Sequence, residues 1–139
     1  MAREIYLNMV VGDLKKSMAF FTHLGFTFNA KFTDENAACM VISETIYCML
    51  QTQESFGRFT KKTIIDPRKM TECIFALSAT SRDEVDEMAN KVLEAGGSMY
   101  RDTEDYGWMY LKSFEDLDGH MWEIAHMDES KMPAEMKAA

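Results

Sequence analysis

The order of predicted elements in the first half of this sequence recurs in the second half. Residues 4–52 are typical of a strand, a helix and three more strands, and residues 72–127 repeat that order. Each half would form a curved sheet with one helix on its outer face, and such a sheet cannot cover both of its faces alone. The repeat therefore predicts an α+β fold, in which two βαβββ modules pair into a partly closed barrel whose hollow suits a ligand.

Alternation of apolar and polar residues and glycine stops define the elements of module one. Its helix is DLKKSMAFFTHLG, with Asp13 as the N-cap and Gly25 as the stop. Its predicted strands are EIYLNMVVG, FTFNAKF, ENAACMVIS and TIYCMLQTQ. The polar residues 53–71 that follow predict a connector with one short helix.

Module two has the clearest helix of the chain, SRDEVDEMANKVLEAGG. Ser81 and Glu84 have the spacing of a capping box at its start, and Gly96 and Gly97 end it. The predicted strands are TECIFALSA, SMYRDTEDY, GWMYLKSFED and GHMWEIAHM, and residues 128–139 form a tail. We expect one domain over residues 1–139.

Composition excludes several classes of partner. The net charge of −8 argues against nucleic acid, because phosphate binding needs a basic face, and it also fits a preference for cationic ligands. No apolar run approaches the roughly 20 residues that span a bilayer, and the N-terminus lacks a signal-peptide layout, so we expect a cytoplasmic protein. Cys39, Cys48 and Cys73 are scattered among apolar residues, which predicts buried, reduced thiols.

The segment HMWEIAH spaces His120, Glu123 and His126 three residues apart. On a helix these side chains would share a face and could chelate a metal, whereas on a strand Glu123 would point away from both histidines. The preceding D-G turn signal, together with Trp122 and Ile124, favours a strand. We therefore expect Glu123 to face the hollow and the histidines to face outward.

Alternation along the strands predicts the neighbours of Glu123 in a ligand pocket. They are Tyr6, Asn8, Tyr47, Met49, Gln51, Glu72 and Ile74, and the segment DYGWMY adds Tyr106, Trp108 and Tyr110 as aromatic groups near the mouth of the barrel. A lone carboxylate in such a pocket can move a proton or hold a cationic or hydroxylated ligand. Packing and internal hydrogen bonds are the alternative role for each of these residues.

Two motifs resemble those of a known family. NMVVGDLKKSMAFFTHLGF near the start and SFEDLDGHMWEIAHMD near the end resemble the vicinal oxygen chelate superfamily, which includes glyoxalase I, the fosfomycin- and bleomycin-resistance proteins and the extradiol dioxygenases. The resemblance covers roughly residues 4–127 and is greatest to the uncharacterised "predicted lactoylglutathione lyase" branch. It implies a glyoxalase-like fold and a homodimer.

The resemblance also implies four positions for a divalent metal, which fall on Tyr6, Met49, Ile74 and Glu123. Only Glu123 keeps a good ligand for a hard cation. We therefore expect a protein that binds a small molecule in the barrel cavity without the family metal and without another cofactor. Whether the protein is an enzyme stays open, with a metal-dependent lactoylglutathione lyase-type lyase or isomerase, or a metal-free enzyme that uses Glu123 as acid or base, as the alternatives.

Overall fold

The computed structural model of the protein describes residues 3–137, so that residues 1, 2, 138 and 139 of the predicted domain lie outside the described residues. The chain divides into two compact units between Asp66 and Pro67, inside the predicted connector. Each unit contains one sheet and one long helix. The predicted α+β class and the two βαβββ modules are confirmed.

Unit one has the predicted order of elements. Its strands and helices are β1 (Ile5–Val10), α1 (Leu14–His23), β2 (Thr27–Phe28), a 3-10 helix (Ala30–Phe32), β3 (Ala37–Val41), β4 (Ile46–Gln51) and α2 (Gln53–Gly57). The sheet order is β1-β4-β3-β2, with β1 parallel to β4 and the other pairs antiparallel. The short helix expected after the last strand is α2.

Unit two repeats this plan. Its elements are β5 (Ile74–Ser78), α3 (Arg82–Glu94), β6 (Ser98–Met99), β7 (Glu104–Asp105), β8 (Met109–Glu115), β9 (Met121–Met127), a 3-10 helix (Glu129–Lys131) and α4 (Ala134–Lys137). The sheet order is β5-β9-β8-β6, and β7 also pairs with β8. As in unit one, the first strand is parallel to the last. Within residues 3–137 no helix is long and apolar enough to cross a bilayer.

Side chains cap both long helices where the sequence predicts it. The Asp13 carboxylate accepts a hydrogen bond from the backbone N–H of Lys16 (3.0 Å), and the Ser81 hydroxyl accepts one from the N–H of Glu84 (3.1 Å). The capping box differs in its second bond, because the Glu84 carboxylate accepts from the N–H of Thr80 (2.6 Å). These bonds satisfy N–H groups that have no partner within the helix.

Each sheet packs one face against its own long helix. In unit one this face buries Met40, Cys48 and Leu50 together with Phe20 and Phe21 of α1. In unit two the indole of Trp122 packs against Phe75 (4.9 Å between ring centroids) and is parallel to Phe114 (6.2 Å). Since side chains alternate along a strand, the opposite face of each sheet carries the odd-numbered residues of β4 and β9.

The predicted strand FTFNAKF is shorter than expected. It pairs only at Thr27–Phe28 and then turns into a 3-10 helix. The Asn29 side chain accepts a hydrogen bond from the N–H of Lys31 (3.0 Å), and the Thr33 hydroxyl donates to the carbonyl of Asn29 (2.8 Å). These local bonds compete with strand pairing.

The predicted strand SMYRDTEDY is interrupted. It pairs with β8 only at Ser98–Met99 and at Glu104–Asp105. Between these pairs the chain leaves the sheet, and Arg101 forms an ion pair with Glu104. The interruption takes Arg101 and its neighbour Tyr100 out of the strand alternation.

The start of TECIFALSA also differs from the prediction. β5 begins at Ile74, after a turn in which the Thr71 hydroxyl donates to the carbonyl of Cys73 (3.2 Å). Glu72 therefore precedes the strand and is exposed.

The cysteines are only partly as predicted. Cys39 and Cys48 are buried in the sheet of unit one, but Cys73 is exposed. Cys73 lies just before β5, where the chain has not yet entered the sheet.

Candidate functional site

Five of the predicted pocket residues lie on one face of the unit-one sheet, which we call the Tyr6 face. They are Tyr6, Asn8, Tyr47, Met49 and Gln51. β1 and β4 are neighbours with Tyr6 opposite Tyr47 and Asn8 opposite Met49, so alternate residues of both strands project to the same side. The rings of Tyr6 and Tyr47 stack, with centroids 4.8 Å apart and planes inclined by 12°.

The two stacked tyrosines share an acidic partner. The Tyr6 hydroxyl donates to the Glu4 carboxylate (3.3 Å), and the Tyr47 hydroxyl lies 3.4 Å from the same carboxylate and 2.9 Å from the carbonyl of Glu44. Lost solvation and the negative charge of Glu4 hold the pKa of both phenols above the ordinary value of 10.0. Both hydroxyls therefore stay protonated at neutral pH.

A chain of hydrogen bonds joins the amides of the Tyr6 face. The Ser55 hydroxyl donates to Gln51 Oε1 (2.9 Å), Gln51 Nε2 donates to Asn8 Oδ1 (2.6 Å), and Asn8 Nδ2 donates to the carbonyl of Tyr6 (3.3 Å). Gln51 and Ser55 are buried, which makes these bonds structural, whereas Asn8 is exposed. Asn8 thus forms internal hydrogen bonds, which the sequence leaves open as the alternative to contact with a ligand.

HMWEIAH is a strand, as predicted, so its three polar side chains do not form one chelate. β9 places Glu123 opposite Ala76 of β5 and Ser113 of β8, on a side that we call the Glu123 face. His126 projects to the opposite side, and its Nδ1 lies 3.1 Å from the carbonyl of Ala79. His120 precedes the strand.

The Glu123 face contains a polar cluster that the sequence did not predict. Arg101 Nη1 lies 3.9 Å from Glu123 Oε2, and its Nη2 pairs with Glu104. The Glu123 side chain is 17% exposed and that of Arg101 45%. Glu123 is therefore not a lone carboxylate in apolar surroundings, because a guanidinium and a second carboxylate accompany it.

Two buried hydroxyls complete this cluster. The hydroxyl oxygens of Tyr100 and Ser113 are buried, and neither has a hydrogen-bond partner in the part of the chain that the structure describes. Burial raises the pKa of Tyr100, nearby Ser113 and Arg101 lower it, and Glu123 raises it further. The hydroxyls of Tyr100 and Ser113 thus lie near each other, and neither forms a hydrogen bond of normal geometry within the described residues.

Of the residues that join Glu123 in this cluster, only Ser113 has a pattern in the sequence that indicates a polar site. Ser113 alternates with Leu111 along GWMYLKSFED, and a hydroxyl at a buried strand position suggests a polar site. No sequence pattern indicates Tyr100 or Arg101, because the interruption of their predicted strand depends on the pairing of side chains.

The three aromatic residues of DYGWMY are not grouped together. Tyr110 lies on the face of β8 that packs against α3, where its hydroxyl donates to Asp86 (2.6 Å) and the guanidinium of Arg82 covers its ring (4.3 Å to the centroid). Tyr110 thus lies on the other face of the sheet from Glu123 and not in the pocket predicted around that carboxylate. Tyr106 is exposed, and the carbonyl of Trp108 accepts a hydrogen bond from the N–H of Asp128 (2.7 Å).

The remaining predicted pocket residues belong to the start of unit two. Ile74, opposite Met121, shares the Glu123 face but is half exposed, and Glu72 lies outside the strand.

A buried carboxylate holds the turn that leads into β9. Asp116 accepts hydrogen bonds from the N–H groups of Asp118 (3.0 Å) and His120 (3.1 Å) and from the indole N–H of Trp122 (3.0 Å). Burial raises the pKa of Asp116, although these donors and the nearby His120 oppose the shift. The turn fixes where β9 begins and hence which side Glu123 faces.

Comparison with known proteins identifies relatives of this fold. The chain is 27% identical to a hypothetical protein, SA1046, of S. aureus, with 91% of this chain and 95% of that chain covered and a TM-score of 0.76. A glyoxalase-related enzyme from Fulvimarina pelagi is 18% identical, with 91% and 88% covered and a TM-score of 0.77. The fosfomycin resistance protein FosX from Listeria monocytogenes is 18% identical, with 94% and 97% covered and a TM-score of 0.65. No curated protein matches the sequence.

The latter two structures support the fold alone, since their identity to this chain is low. The sequence profile of the Glyoxalase/Bleomycin resistance protein/Dioxygenase superfamily matches residues 5–124, which include Glu123 and most of both modules. The chain belongs to the glyoxalase/bleomycin resistance/dioxygenase superfamily.

Proposed function

We propose that this protein binds a small organic molecule and does so without the divalent metal of its family. The observation that carries the proposal is the chemistry of the four family metal positions, taken within each unit by itself. In unit one these positions hold Tyr6 and Met49, and in unit two they hold Ile74 and Glu123.

The side chains at these positions do not fit a hard divalent cation. The Tyr6 hydroxyl already donates a hydrogen bond to Glu4. The thioether of Met49 and the hydrocarbon of Ile74 have no oxygen or imidazole nitrogen to offer, and Glu123 is accompanied by Arg101. Among residues 3–137 no group of three or more His, Cys, Asp or Glu side chains is arranged to hold a metal ion.

The Glu123 face supports the binding of an organic ligand instead. It combines a carboxylate that is still accessible with two buried hydroxyls that lack partners, and buried polar groups are normally hydrogen-bonded. A ligand with polar hydrogens would supply the missing partners.

A metal-free enzyme with Glu123 as acid or base is the second candidate. The buried Tyr100 hydroxyl near the Glu123 carboxylate favours it. The phenol can donate a hydrogen bond to negative charge that develops on a substrate, while the carboxylate accepts or donates a proton. In that case Glu123→Gln should abolish turnover and leave binding largely intact.

Elemental analysis and a thermal-shift screen test the proposal together. We expect the purified protein to contain no stoichiometric metal, and its melting temperature to rise with an organic ligand whether or not divalent metals are present. We also expect no isomerisation of the glutathione hemithioacetal of methylglyoxal. One nickel or zinc ion per chain, or stabilisation by ligands only in the presence of metal, would refute the metal-free function.

We also propose that the protein forms a homodimer and works in the cytoplasm. β1 and β5 lie at the ends of their sheets with Ile5 and Ile74 half exposed, which supports a further partner at a sheet edge. Light scattering should give twice the mass of one chain, and cell fractionation should recover the protein in the cytoplasmic fraction.

A further inference from the structure

The hydroxyls of Tyr100 and Ser113 on the Glu123 face have no hydrogen-bond partner within the described residues. Ser113 is completely buried, and it stands opposite Glu123 in the antiparallel pair of β8 and β9. Tyr100 follows β6, and its buried hydroxyl neighbours Ser113. Because no hydrogen bond of normal geometry completes either hydroxyl within residues 3–137, a partner from outside the protein can complete both.

The charges around these hydroxyls indicate which partner fits. Glu104, Glu115 and Glu123 project to the same face, and Arg101 is the cation among them. Three carboxylates and one guanidinium give this group of side chains a formal charge of −2. Since Arg101 already pairs with two of the carboxylates, an anionic ligand would meet net repulsion and a cation would be attracted.

Arg101 also shows how a cation can lie at this face. Its guanidinium is 3.9 Å from Glu123, which is beyond hydrogen-bond distance, and the side chain is 45% exposed. The contact with Glu123 is therefore a loose one, and Arg101 can leave Glu123 while it keeps its ion pair with Glu104. Because the hydroxyl oxygens of Tyr100 and Ser113 are covered, a ligand has to displace a side chain to reach them, and Arg101 follows Tyr100 in the chain, lies next to Glu123 and is partly exposed.

We propose that the Glu123 face binds a protonated amine, which displaces Arg101 and donates its three N–H bonds to the carboxylate of Glu123 and to the hydroxyl oxygens of Ser113 and Tyr100. An ammonium group donates three hydrogen bonds and accepts none, which matches one carboxylate and two hydroxyls that can rotate to accept. An alcohol could use the same groups but would not offset the negative charge. This assignment rests on the proposed function and names the class of its ligand.

Three probes of equal size test the assignment. They are n-butylammonium, 1-butanol and butyrate, each added to the metal-free, full-length protein and followed by amide chemical shifts in NMR. We expect n-butylammonium to bind most tightly, 1-butanol weakly and butyrate not at all, with the largest shifts in β8 and β9. If 1-butanol or butyrate binds as tightly as the amine, the assignment to amines is wrong.

Four variants test the contacts. Glu123→Gln should weaken the binding of n-butylammonium about tenfold or more, because the carboxylate supplies the negative charge that attracts the amine. Ser113→Ala should weaken it several-fold, with Tyr100→Phe as the second variant if Ser113→Ala does not fold. Arg101→Met should tighten binding, because it removes the competing cation. Glu87→Gln removes the same charge from an exposed position on α3 and should change nothing.

The outcomes separate this assignment from the proposed function. Equal weakening by Glu123→Gln and Glu87→Gln would mean that the amine is held by surface charge alone, which overturns the site. Failure of n-butylammonium to bind a protein that other organic molecules stabilise without metal would overturn the amine assignment and leave the proposed function standing. Binding of any probe only after uptake of a stoichiometric metal would overturn both.

Discussion

Gly119 should tolerate a methyl group far less well than Gly107, although both have backbone angles that disfavour side chains. Their φ values are +92° and +81°. A Cβ on Gly119 would lie 2.9 Å from Arg68 Cα and 3.1 Å from the carbonyl oxygen of Pro67, whereas nothing lies within 4 Å of a Cβ on Gly107. Gly119→Ala therefore forces backbone apart, and Gly107→Ala does not.

The difference between the two variants can be estimated. A side chain at positive φ costs about 1–2 kcal/mol, and the smaller freedom of the unfolded alanine chain offsets about 0.4–1 kcal/mol. Gly107→Ala should therefore lower the free energy of unfolding by about 1 kcal/mol. Overpacking adds about 1–3 kcal/mol, so Gly119→Ala should lower it by about 2–4 kcal/mol.

Urea denaturation followed by far-UV circular dichroism and tryptophan fluorescence measures both values. The slope of the free energy against urea should stay the same, so that the change appears in the midpoint. The reasoning depends on the close approach of the turn to Arg68. Equal losses for the two variants, or a larger loss for Gly107→Ala, would refute it.

Two further predictions concern acid stability and thiol reactivity. Hydrogen bonds from Tyr110 and Lys112 hold the pKa of Asp86 below its ordinary value of 3.8, so their stabilisation is present above that pH and is lost as the pH falls through the lowered pKa. The stability difference between the wild type and Tyr110→Phe in urea should accordingly shrink in acid, and a difference that does not change with pH would count against this coupling. In the native protein the exposed thiol of Cys73 should react rapidly with a disulfide reagent, whereas Cys39 and Cys48 should react slowly. Both are buried, and burial raises the pKa of Cys39. Cys73→Ser should therefore abolish the fast phase of the reaction.

The parts of the fold that could be predicted depend on local signals. Alternation along β1, β4 and β9, the caps at Asp13 and Ser81 and the glycines that end the helices lie within a few residues of the elements that they define. The same alternation predicts Tyr6 and Tyr47 as residues of one pocket, and the pairing of β1 with β4 places them on one face.

The parts that could not be predicted depend on contacts between distant segments or on local competition for hydrogen bonds. The segment DYGWMY predicts Tyr110 near the mouth of the barrel with Tyr106 and Trp108, but Tyr110 alternates with Leu111 and so faces Asp86 of α3. The position of Arg101 follows from its pairing with Glu123 and Glu104 rather than from any period in the sequence. Sequence periodicity thus predicts which residues share a strand face, but not where a strand is interrupted.

The bond between Asp116 and the indole of Trp122 determines more than the stability of a turn. With period two along β9, a shift of one residue would exchange the sides of Trp122 and Glu123, so that an indole would lie on the Glu123 face and a carboxylate would enter the packing beneath α3. An insertion or deletion of one residue in the segment from Asp116 to Trp122 should therefore change the chemistry of the protein as well as its stability. Substitutions at Tyr100 and Arg101, which lie outside that constraint, would instead change the polar groups of the Glu123 face without moving a strand.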